Sequence, residues 1–304
     1  MAQTAGYMND AAETTPSEAK GDGSDMLRAA VECRLHEAGE TFNEHLSSSG
    51  WITCPFTSFT LLLRGGSRIA FDKDPATAVD RGAGRVSCIP AGAWRKADCV
   101  ASEGASFVWA RVSFTLFGGP DLLGFFDAPR VFPPDASGRF APLIAALVEA
   151  ERGMFVPAIR KTVRIQRLLH ELLDLTLELS APKPGFSHAL GALRRLAAAA
   201  AYLGAHFDRP AAVDVPARLA CLSKSRFHRV FKEAFGVSPA EYQIRLRMRE
   251  AQKLLLFSDL SIAQIAERTG YADQFHFSRT FKRRFGQSPA PFRRDSGLAD
   301  KLGL

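Results

Sequence analysis

Two arginines, Arg229 and Arg279, occupy the same position in two copies of one short sequence pattern. The stretch FKEAFGVSP, residues 231–239, returns fifty residues later as FKRRFGQSP, residues 281–289. A guanidinium group is planar, always charged and presents a fork of N–H donors. Such a fork pairs with two neighbouring acceptors, as on a phosphate group or on the O6 and N7 edge of guanine. The repeated arginine therefore indicates two equivalent surfaces for a polyanionic partner.

Both copies of the pattern have the apolar spacing of an amphipathic helix. At about 100° per residue, the aromatic residues of each copy fall on one face, and the Ser, Arg, His and Lys residues fall on the other. The residues predicted to point inward are Phe227, Val230, Phe231, Ala234 and Phe235 in the first copy and Phe277, Phe281 and Phe285 in the second. Each copy therefore predicts a helix with an aromatic inner face and a basic outer face.

A shorter helical stretch and a tight turn precede each copy. These stretches are DVPARLACLS, residues 214–223, and SIAQIAERTGY, residues 261–271. We expect Asp214 to cap the first of them, with Pro216 in its first turn. Gly236 and Gly286 suit the left-handed residue that ends each longer helix. Two helices joined by a tight turn form a helix-turn-helix unit, so the sequence predicts two such units, connected by a rigid helix over residues 239–257.

Residues 190 to 295 resemble the C-terminal DNA-binding domain of the AraC/XylS-type transcription regulators. The resemblance rests on RMREAQKLL from Arg247 and on SIAQIAERTGYADQFHFSRTFKRRFGQSPAPFR from Ser261 to Arg293. It implies two helix-turn-helix units joined by a long helix. The first unit departs from the family pattern, because Pro216 stands where the family usually has Leu, and Cys221 stands where it often has Gly in the turn.

The outward residues of each repeated helix are the candidate contacts with double-stranded DNA. A helix-turn-helix unit places its second helix in the major groove, where side chains reach the base edges. The predicted base contacts are Ser225, Arg226, His228 and Arg229 in the first unit and Gln274, Phe275, His276 and Arg279 in the second. The predicted phosphate contacts are Lys224, Lys232, Lys282 and Arg283, with ordinary solvent-exposed charge as the alternative for each.

The two outer faces differ in sequence, which predicts an asymmetric DNA site. Phe275 lies about 160° around the helix from Phe277, so burial in the core of its own unit does not explain it. Contact with a thymine methyl group explains it, and packing against a neighbouring helix is the alternative. Two such helices on one face of DNA need a spacing of about 34 Å, or about 10 base pairs.

The distribution of charge along the chain agrees with an anionic partner for the C-terminal part. The whole chain has a net charge of +7, whereas residues 190 to 304 hold 20 Lys and Arg against 10 Asp and Glu. The remainder of the chain is therefore slightly acidic. A basic domain attached to an acidic one is typical of nucleic-acid binding, although a solvated basic face gives the same count.

The region from about residue 51 to residue 131 is predicted to be rich in strands. Short apolar runs are separated by Gly and Pro, and Gly65-Gly66 between two runs predicts a hairpin. The segments IPAGAW and FVWARVSF resemble the cupin-like effector domains of the same family. The expected fold class is α+β: an N-terminal cupin-like β-barrel with helices, followed by an all-α domain with two helix-turn-helix units joined by a long helix. The helix AIRKTVRIQRLLHELLDLTLEL either packs on the barrel or forms a homodimer contact.

The barrel is expected to bind a small-molecule effector and no metal. There is no histidine between His45 and His170, which is contrary to the histidine cluster that a cupin metal enzyme needs. The candidate ligand residues are Arg64, Arg68, Trp94 and Arg95, with core tryptophans and solvated arginines as the alternative. The cysteines of this region, Cys54, Cys88 and Cys99, either sense oxidants or are small buried thiols.

The expected organisation is a disordered leader over residues 1–26, an effector-binding and dimerisation domain over 27–180, a linker over 181–189, the DNA-binding domain over 190–295 and a tail over 296–304. No signal peptide or apolar membrane span is evident, and scattered cysteines agree with a reducing cytoplasm. The predicted function is a sequence-specific, ligand-responsive transcription regulator, not an enzyme, with no cofactor. A homodimer is expected and RNA polymerase is a candidate partner. A ligand-independent architectural DNA-binding protein is the alternative.

Overall fold

The computed structural model describes residues 31–43, 47–116, 121–153, 157–209 and 212–294. The predicted leader over residues 1–26 and the predicted tail over residues 296–304 lie outside these described residues. The described chain has a strand-rich N-terminal part and a helical C-terminal part, so the predicted α+β fold class is confirmed.

The strands of the N-terminal domain form two larger antiparallel sheets. The first sheet has the order β1-β9-β4-β7, and the second has the order β2-β8-β5-β6 with β3 paired to β8. A short ribbon of β10 and β11 joins the domain to the helices that follow. The strands are β1 Val31–Asn43, β2 Ser47–Ser48, β3 Ile52–Thr53, β4 Thr57–Arg64, β5 Gly66–Phe71, β6 Asp74–Gly82, β7 Val86–Ile89, β8 Trp94–Cys99, β9 Ala105–Leu116, β10 Phe126–Asp127 and β11 Ala181–Pro182.

The two larger sheets face each other across a shared apolar layer. Leu62 and Phe107 of the first sheet pack with Cys99 of the second. Strand β8 alternates between half-buried and buried residues, because successive residues of a strand point to opposite faces of its sheet. Strands β4 and β9 of the first sheet are buried on both faces, because helices cover the side that is turned away from the second sheet.

The hairpin predicted at Gly65-Gly66 is wrong. Strand β4 pairs with β7 and β9, whereas β5 pairs with β6 and β8, so this turn carries the chain from one sheet to the other. Gly65 has φ +83°, and an added Cβ atom would lie 2.3 Å from the carbonyl oxygen of Gly104. The glycine pair therefore permits a close approach of two backbones. The hairpin is instead β5–β6, whose turn holds Asp72 and Lys73 at φ 56° and 61°.

The helices are α1 Pro134–Arg152, α2 Ala158–Glu178, α3 Phe186–Ala205, α4 Asp214–Leu219, α5 Lys224–Phe235, α6 Pro239–Phe257, α7 Ile262–Arg268 and α8 Gln274–Phe285. Helices α1 and α2 cover the first sheet, where the ring of Phe140 stacks on Phe59 at a centroid distance of 5.8 Å. The leucines of α2 are buried in this core, as the packing alternative requires, while Ile159 and Val163 at its start are exposed. Among the described residues, no helix has the length and apolar character needed to cross a membrane.

Helix α6 belongs to two separate apolar cores of the C-terminal domain. Tyr242 near its start packs with Phe227 and Phe231 of α5. Met248 and Leu255, farther along, pack with the α7–α8 core. The predicted connecting helix over residues 239–257 is confirmed at both ends, because Ser238 caps the first turn and Ser258 leaves the helical conformation. One rigid helix thus joins two small globular units.

The cysteines of the N-terminal domain are mostly enclosed. Cys33, Cys88 and Cys99 are buried, and Cys54 is half-buried. Burial raises the pKa of the Cys33 thiol to about 11 and also raises the pKa of Cys88. Thiols that resist ionisation in this way are poor nucleophiles, which agrees with a packing role for these two residues.

Candidate nucleic-acid interface

The first helix-turn-helix unit consists of α4, a turn and α5. The Ser223 hydroxyl accepts a hydrogen bond from the Arg226 backbone N–H at 3.4 Å and so caps α5. Asp214 is not the cap that the sequence predicts for α4: Val213 holds that position, and Asp214 is the first helical residue. Its carboxylate pairs with the Lys224 ammonium group instead, and the hydrogen bond from Lys224 lowers the pKa of Asp214. The backbone N–H of Asp214 itself lowers this pKa further, by less than Lys224 does.

Cys221 lies in the turn of this unit with a left-handed backbone, at φ 53°. Gly270 occupies the equivalent place in the second unit at φ 77°. The backbone N–H of each residue donates to a carbonyl near the end of the preceding helix, that of Arg218 or that of Glu267. The turn position where the family often has Gly therefore requires a positive φ. Cys221 adopts this left-handed conformation at a cost in conformational free energy, because it has a Cβ atom.

The second unit, α7, a turn and α8, has stronger caps. Ser261 and Gln264 form a reciprocal capping box at the start of α7. The Asp273 carboxylate accepts hydrogen bonds from the backbone N–H groups of Phe275 at 2.9 Å and His276 at 2.8 Å. These two bonds lower the pKa of Asp273, which therefore stays ionised and holds the start of α8. The end of α8 that carries Phe275 and His276 is thereby fixed.

All of the predicted base contacts are exposed on the outer faces of α5 and α8. The exposed residues are Ser225, Arg226, His228 and Arg229 on α5 and Gln274, Phe275, His276 and Arg279 on α8. Phe227 and Phe231 on the inner face of α5, and Phe277 and Phe281 on that of α8, have no exposed surface. Each helix therefore has its aromatic face in a core and its polar face towards solvent, as its sequence predicts.

Phe275 is the large apolar residue on this polar face. Its side chain is 73% exposed, so it is not packed against another helix of the described chain. Exposure of a whole aromatic ring gives up the free energy of burying it. The exposure agrees with the predicted contact to a DNA base, which would cover the ring.

The predicted phosphate contacts are also exposed. Lys232, Lys282 and Arg283 point to solvent, whereas Lys224 forms the ion pair with Asp214 described above. Arg284, the next residue along α8, differs from them: its Nη1 lies 3.0 Å from the Glu241 carboxylate at the start of α6. Arg284 therefore connects the second unit to the connecting helix and is not a phosphate candidate.

Arg247 of α6 joins the two units through backbone carbonyl groups. Its Nε donates to the Phe207 carbonyl at 2.6 Å, and its Nη2 donates to the Arg209 carbonyl at 2.7 Å, both after α3. Its Nη1 donates to the Gly270 carbonyl at 2.8 Å, in the turn of the second unit. Sequence reasoning placed Arg247 in the family motif without assigning it a role. The structure gives it one, because a single planar group fixes the second turn against the first unit.

The predicted ligand residues of the N-terminal domain are divided between the inside and the outside of the sheets. Arg64 and Arg68 are exposed, and Arg68 donates to Asp80 at 2.7 Å on the outer surface. Trp94 is half-buried under the Lys73 ammonium group, 3.7 Å from the ring centroid. Arg95 alone of the four is buried, with its Nη2 lying 3.6 Å from the Cys54 sulfur. The structure therefore does not gather these four residues into one site.

Another buried arginine, Arg81, which no sequence pattern indicated, lies between the sheets. The Arg81 guanidinium donates to the hydroxyl groups of Ser87 at 2.6 Å and Ser67 at 3.1 Å. Burial, followed by the charge of Arg95, lowers the pKa of Arg81 to about 10. Over the residues that the structure describes, no group of three or more His, Cys, Asp or Glu side chains is arranged to hold a metal ion.

Comparison with known proteins agrees with the geometry of the C-terminal domain. Residues 217–295 match a family model described as a helix-turn-helix domain. The HTH-type transcriptional activator RhaS of Salmonella dublin is 32% identical over 153 residues, which are 50% of this chain and 52% of RhaS. A regulator of Chromobacterium violaceum with an AraC-type DNA-binding domain is 30% identical, with a TM-score of 0.33, over 34% of this chain and 94% of that one. The C-terminal domain belongs to the AraC family.

Outside the AraC-type domain the likeness to known proteins is weaker. The chain spans about half the length of the curated relatives it matches. The structure of ToxT from Vibrio cholerae is similar over 88% of this chain and 98% of ToxT, at 9% identity and a TM-score of 0.49. The resemblance predicted for residues 190–295 is confirmed by the family model and by the identity to RhaS, not by this weaker likeness.

Proposed function

We propose that this protein is a sequence-specific DNA-binding transcription regulator that uses α5 and α8 as two recognition helices. The observation that carries the proposal is the contrast between the two faces of each helix. Four of the inner phenylalanines, Phe227, Phe231, Phe277 and Phe281, are fully buried. The outer residues, including Arg229, Arg279 and Phe275, are exposed on helices whose first turns are capped. Side chains held in this way on a helix-turn-helix unit suit the major groove.

The two recognition helices have unlike outer faces on one chain, which supports an asymmetric DNA site. Ser225, Arg226 and His228 surround Arg229, while Gln274 and Phe275 come before Arg279. Helix α6 and the hydrogen bonds of Arg247 hold one unit at a fixed place relative to the other. We infer that the two helices contact major-groove segments about one turn, or about 10 base pairs, apart.

Contacts between the domains support a ligand-responsive regulator. The ring of Phe257 at the end of α6 lies 6.0 Å from the ring of Phe56, and the Gln252 amide donates to the Thr53 carbonyl at 3.3 Å. The N-terminal domain thus contacts the helix that joins the two DNA-binding units. A change in this domain would reach DNA recognition through α6. The architectural alternative, without a ligand, gives these contacts no role beyond stability.

We also propose a homodimer, a partner, a cellular location and a role without catalysis. A homodimer is supported by Ile159 and Val163, which expose apolar side chains one turn apart on α2. RNA polymerase stays a candidate partner and the cytoplasm the proposed location. The relatives are regulators, which supports a role without catalysis.

Selection of DNA from a random library by the full-length chain, at two salt concentrations, tests the proposal. We expect an enriched asymmetric motif with two blocks about 10 base pairs apart. A motif with a single block would remove one of the two units from sequence recognition. Salt-sensitive binding without any motif would favour the architectural alternative.

A matched pair of variants separates base contacts from phosphate contacts on α8. Arg279→Ala is expected to cost about 1–3 kcal/mol of binding free energy and to relax the preference at one base pair. Lys282→Ala, one helical turn away, is expected to weaken binding to all sequences and to reduce the salt dependence. An equal loss on every sequence for Arg279→Ala would remove Arg279 from the base contacts.

A further inference from the structure

The turn of the β5–β6 hairpin holds a lysine in a backbone conformation that lysine rarely adopts. Phe71 pairs with Asp74, so Asp72 and Lys73 are the two central residues of the turn, and both have a positive φ. A two-residue turn of this kind favours glycine or asparagine. Lys73 adopts φ 61° at a cost in conformational free energy, because it has a Cβ atom. Strained backbone is concentrated at functional sites, so the side chain of Lys73 is a candidate for a function.

The Lys73 side chain is positioned by Trp94 of the neighbouring strand β8. Its ammonium nitrogen lies 3.7 Å from the centroid of the Trp94 ring. The backbone of the turn is held to the same residue, because the Asp72 N–H donates to the Trp94 carbonyl at 2.9 Å. Attraction between a cation and the face of an aromatic ring restricts where the cation lies. Lys73 therefore presents its charge at a defined place, although its side chain is exposed.

The carboxylates next to Lys73 in the turn have other partners. Asp72 lies 3.9 Å from the Arg130 guanidinium, and Asp74 accepts a hydrogen bond from the Ala76 backbone N–H at 2.9 Å. Across the residues that the structure describes, no carboxylate lies at ion-pair distance from Lys73, and no acceptor is hydrogen-bonded to it. The three N–H donors of its ammonium group are therefore available to an anion from another molecule.

Lys73 lies beside the C-terminal end of the second recognition helix. Its ammonium nitrogen is 3.9 Å from the place that a Cβ atom would take on Gly286, the residue that ends α8. Gly286 follows Arg279 by seven residues, or about two turns, so the two residues lie on the same face of α8. Lys282 and Arg283, the predicted phosphate contacts, lie one turn before Gly286. The N-terminal domain thus places a cation at the end of the outer face of α8.

The contact between the domains fixes the position of this cation. The Gln252 amide of α6 donates to the Thr53 carbonyl at 3.3 Å, and Thr53 pairs with Trp94 in the second sheet. Gln252 is itself buried at this contact. The residue that supports Lys73 is therefore the strand partner of the residue that holds α6, so the hairpin and the second unit are joined through packed groups.

The partner that fits this cation is the DNA backbone. A recognition helix contacts base edges with its N-terminal residues, and in homeodomains its C-terminal end contacts the backbone. On α8 the predicted base contacts end at Arg279, and the position two turns later is a glycine without a side chain. Lys73 supplies a cation at that position. A phosphate group accepts hydrogen bonds from an exposed ammonium group and needs no shaped pocket.

We propose that Lys73 of the N-terminal domain contacts a DNA phosphate at the outer edge of the site bound by α8. The Lys73 ammonium group donates to the phosphate oxygens, and Trp94 holds it in place. The inference rests on the proposed function, because it requires α8 in the major groove. It goes further, because it makes the N-terminal domain part of the DNA-binding surface. A movement of this domain against the second unit would then change DNA affinity even if both recognition helices kept their places.

Binding of the full-length chain to a duplex with both blocks of the selected motif tests the contact. Lys73→Gln should bind about fivefold more weakly at about 50 mM salt, as for the loss of one exposed ion pair. Loss of one phosphate contact reduces the slope of log K against log salt by about 0.9. The difference from the unchanged chain should therefore shrink to less than about twofold at about 200 mM salt.

Two further variants separate the phosphate contact from the stability of the turn. Lys73→Gly removes the cation and also the backbone strain, since glycine adopts φ 61° freely. It should therefore unfold at an unchanged or higher temperature and still bind DNA as weakly as Lys73→Gln. Lys73→Arg keeps the positive charge and should retain most of the affinity.

The matched control is Arg160→Gln. Arg160 is an exposed cation of the N-terminal domain on α2, which covers the first sheet, whereas Lys73 belongs to the second. This variant should leave the affinity and the salt dependence unchanged, because a distant exposed charge is screened by salt.

Duplexes with single uncharged methylphosphonate linkages identify the phosphate. The linkages are placed one at a time at the outer edge of the block in which Arg279→Ala relaxes the base preference. One of them should weaken binding of the unchanged chain about fivefold and leave binding of Lys73→Gln almost unaffected, because the two changes remove the same contact.

Three results would overturn the proposal. Unchanged affinity of Lys73→Gln would exclude the contact, and tighter binding would mean that the hairpin holds α8 away from DNA. A loss that is equal at both salt concentrations would mean that Lys73 acts only on the packing of the domains.

The same salt series on a duplex of random sequence distinguishes this proposal from the proposed function, because a phosphate contact acts on any sequence. An effect of Lys73→Gln without any selected motif would support the contact and contradict sequence-specific recognition alone. A selected motif without an effect of Lys73→Gln would overturn the contact alone.

Discussion

Replacing Arg247 with methionine removes the group that fixes the second helix-turn-helix unit against the first. Its guanidinium donates to the carbonyl groups of Phe207, Arg209 and Gly270 at 2.6, 2.7 and 2.8 Å. Methionine keeps a side chain of similar length on α6 but donates no hydrogen bond. The apolar contacts within each unit stay in place in this variant, because Arg247 belongs to neither apolar cluster. The contact of its guanidinium with the Tyr271 ring, 5.5 Å from the ring centroid, is lost together with the hydrogen bonds.

The cost follows from these three hydrogen bonds. Hydrogen bonds to charged groups contribute about 1.5–3 kcal/mol each, and those that water can replace contribute less. Because Arg247 is half-buried, we expect a total loss of about 2–4 kcal/mol of unfolding free energy in the AraC-type domain. At about 4–8 °C per kcal/mol for a domain of roughly 100 residues, the unfolding temperature should fall by at least ~8 °C.

Two DNA probes make the test specific to the connection. The first carries both blocks of the selected motif, and the second carries one block. Arg247→Met should weaken binding to the two-block probe about tenfold or more, since the second unit is no longer held in place for a joint contact. Binding to the one-block probe should be almost unchanged. The control is Arg245→Met, since Arg245 is exposed and lies two residues earlier on α6. This variant should bind both probes with unchanged affinity.

Equal losses on both probes would refute the argument, because they would mean that Arg247 supports DNA contact within one unit. An unchanged unfolding temperature would refute the estimate of stability.

Three further results are expected from equilibrium unfolding of single variants. Gly270→Ala should lower the free energy of unfolding by more than about 2 kcal/mol, because at φ +77° its Cβ atom would lie 1.9 Å from the Asp208 carbonyl oxygen. Gly236→Ala is the control: its φ is +71° but the space around it is open, so backbone strain alone should lower the free energy of unfolding by about 1 kcal/mol. Cys221→Gly should gain about 1 kcal/mol, and no gain would mean that φ 53° is unstrained there. Between pH 6.5 and 4 the contribution of His36 to stability should fall by up to ~3 kcal/mol, because the unfolded chain takes up a proton that His36, with its pKa lowered to about 4, does not. Asp121, whose pKa burial raises to about 6, changes stability in the opposite direction over this range, so the measurement is the difference in stability between the unchanged chain and His36→Gln.

The local features of the DNA-binding domain could be predicted because each is decided within a few residues. The aromatic spacing of the repeat gives the buried faces of α5 and α8, and Gly236 and Gly286 give their C-terminal ends. The end points of α6, Pro239 and Phe257, are correct for the same reason. Asp214 shows the limit of this reasoning. The sequence predicts that its carboxylate caps α4, whereas in the structure it pairs with the Lys224 ammonium group, which only the fold brings close.

The strand-rich domain was harder to predict, because strands pair with partners that are distant in the chain. Gly65-Gly66 has the composition of a hairpin, yet the strands on either side of it belong to different sheets. Nothing in the sequence distinguishes Arg64, Arg68 and Arg95. The strand pairing decides that Arg95 is buried and that Arg68 forms an ion pair with Asp80 on the surface.

Residue spacing and composition are enough to predict two repeated amphipathic helices with basic outer faces, a long helix that joins them, and an N-terminal domain rich in strands. These conclusions follow from periodicity and turn chemistry, which act over one or two helical turns. The tertiary structure alone decided that Arg247 bridges the two units and that Arg34, His36, Arg249 and Lys253 meet in one cleft. Residues on β1 and α6 are some 200 positions apart, so their charges act on each other only after the domains have packed together.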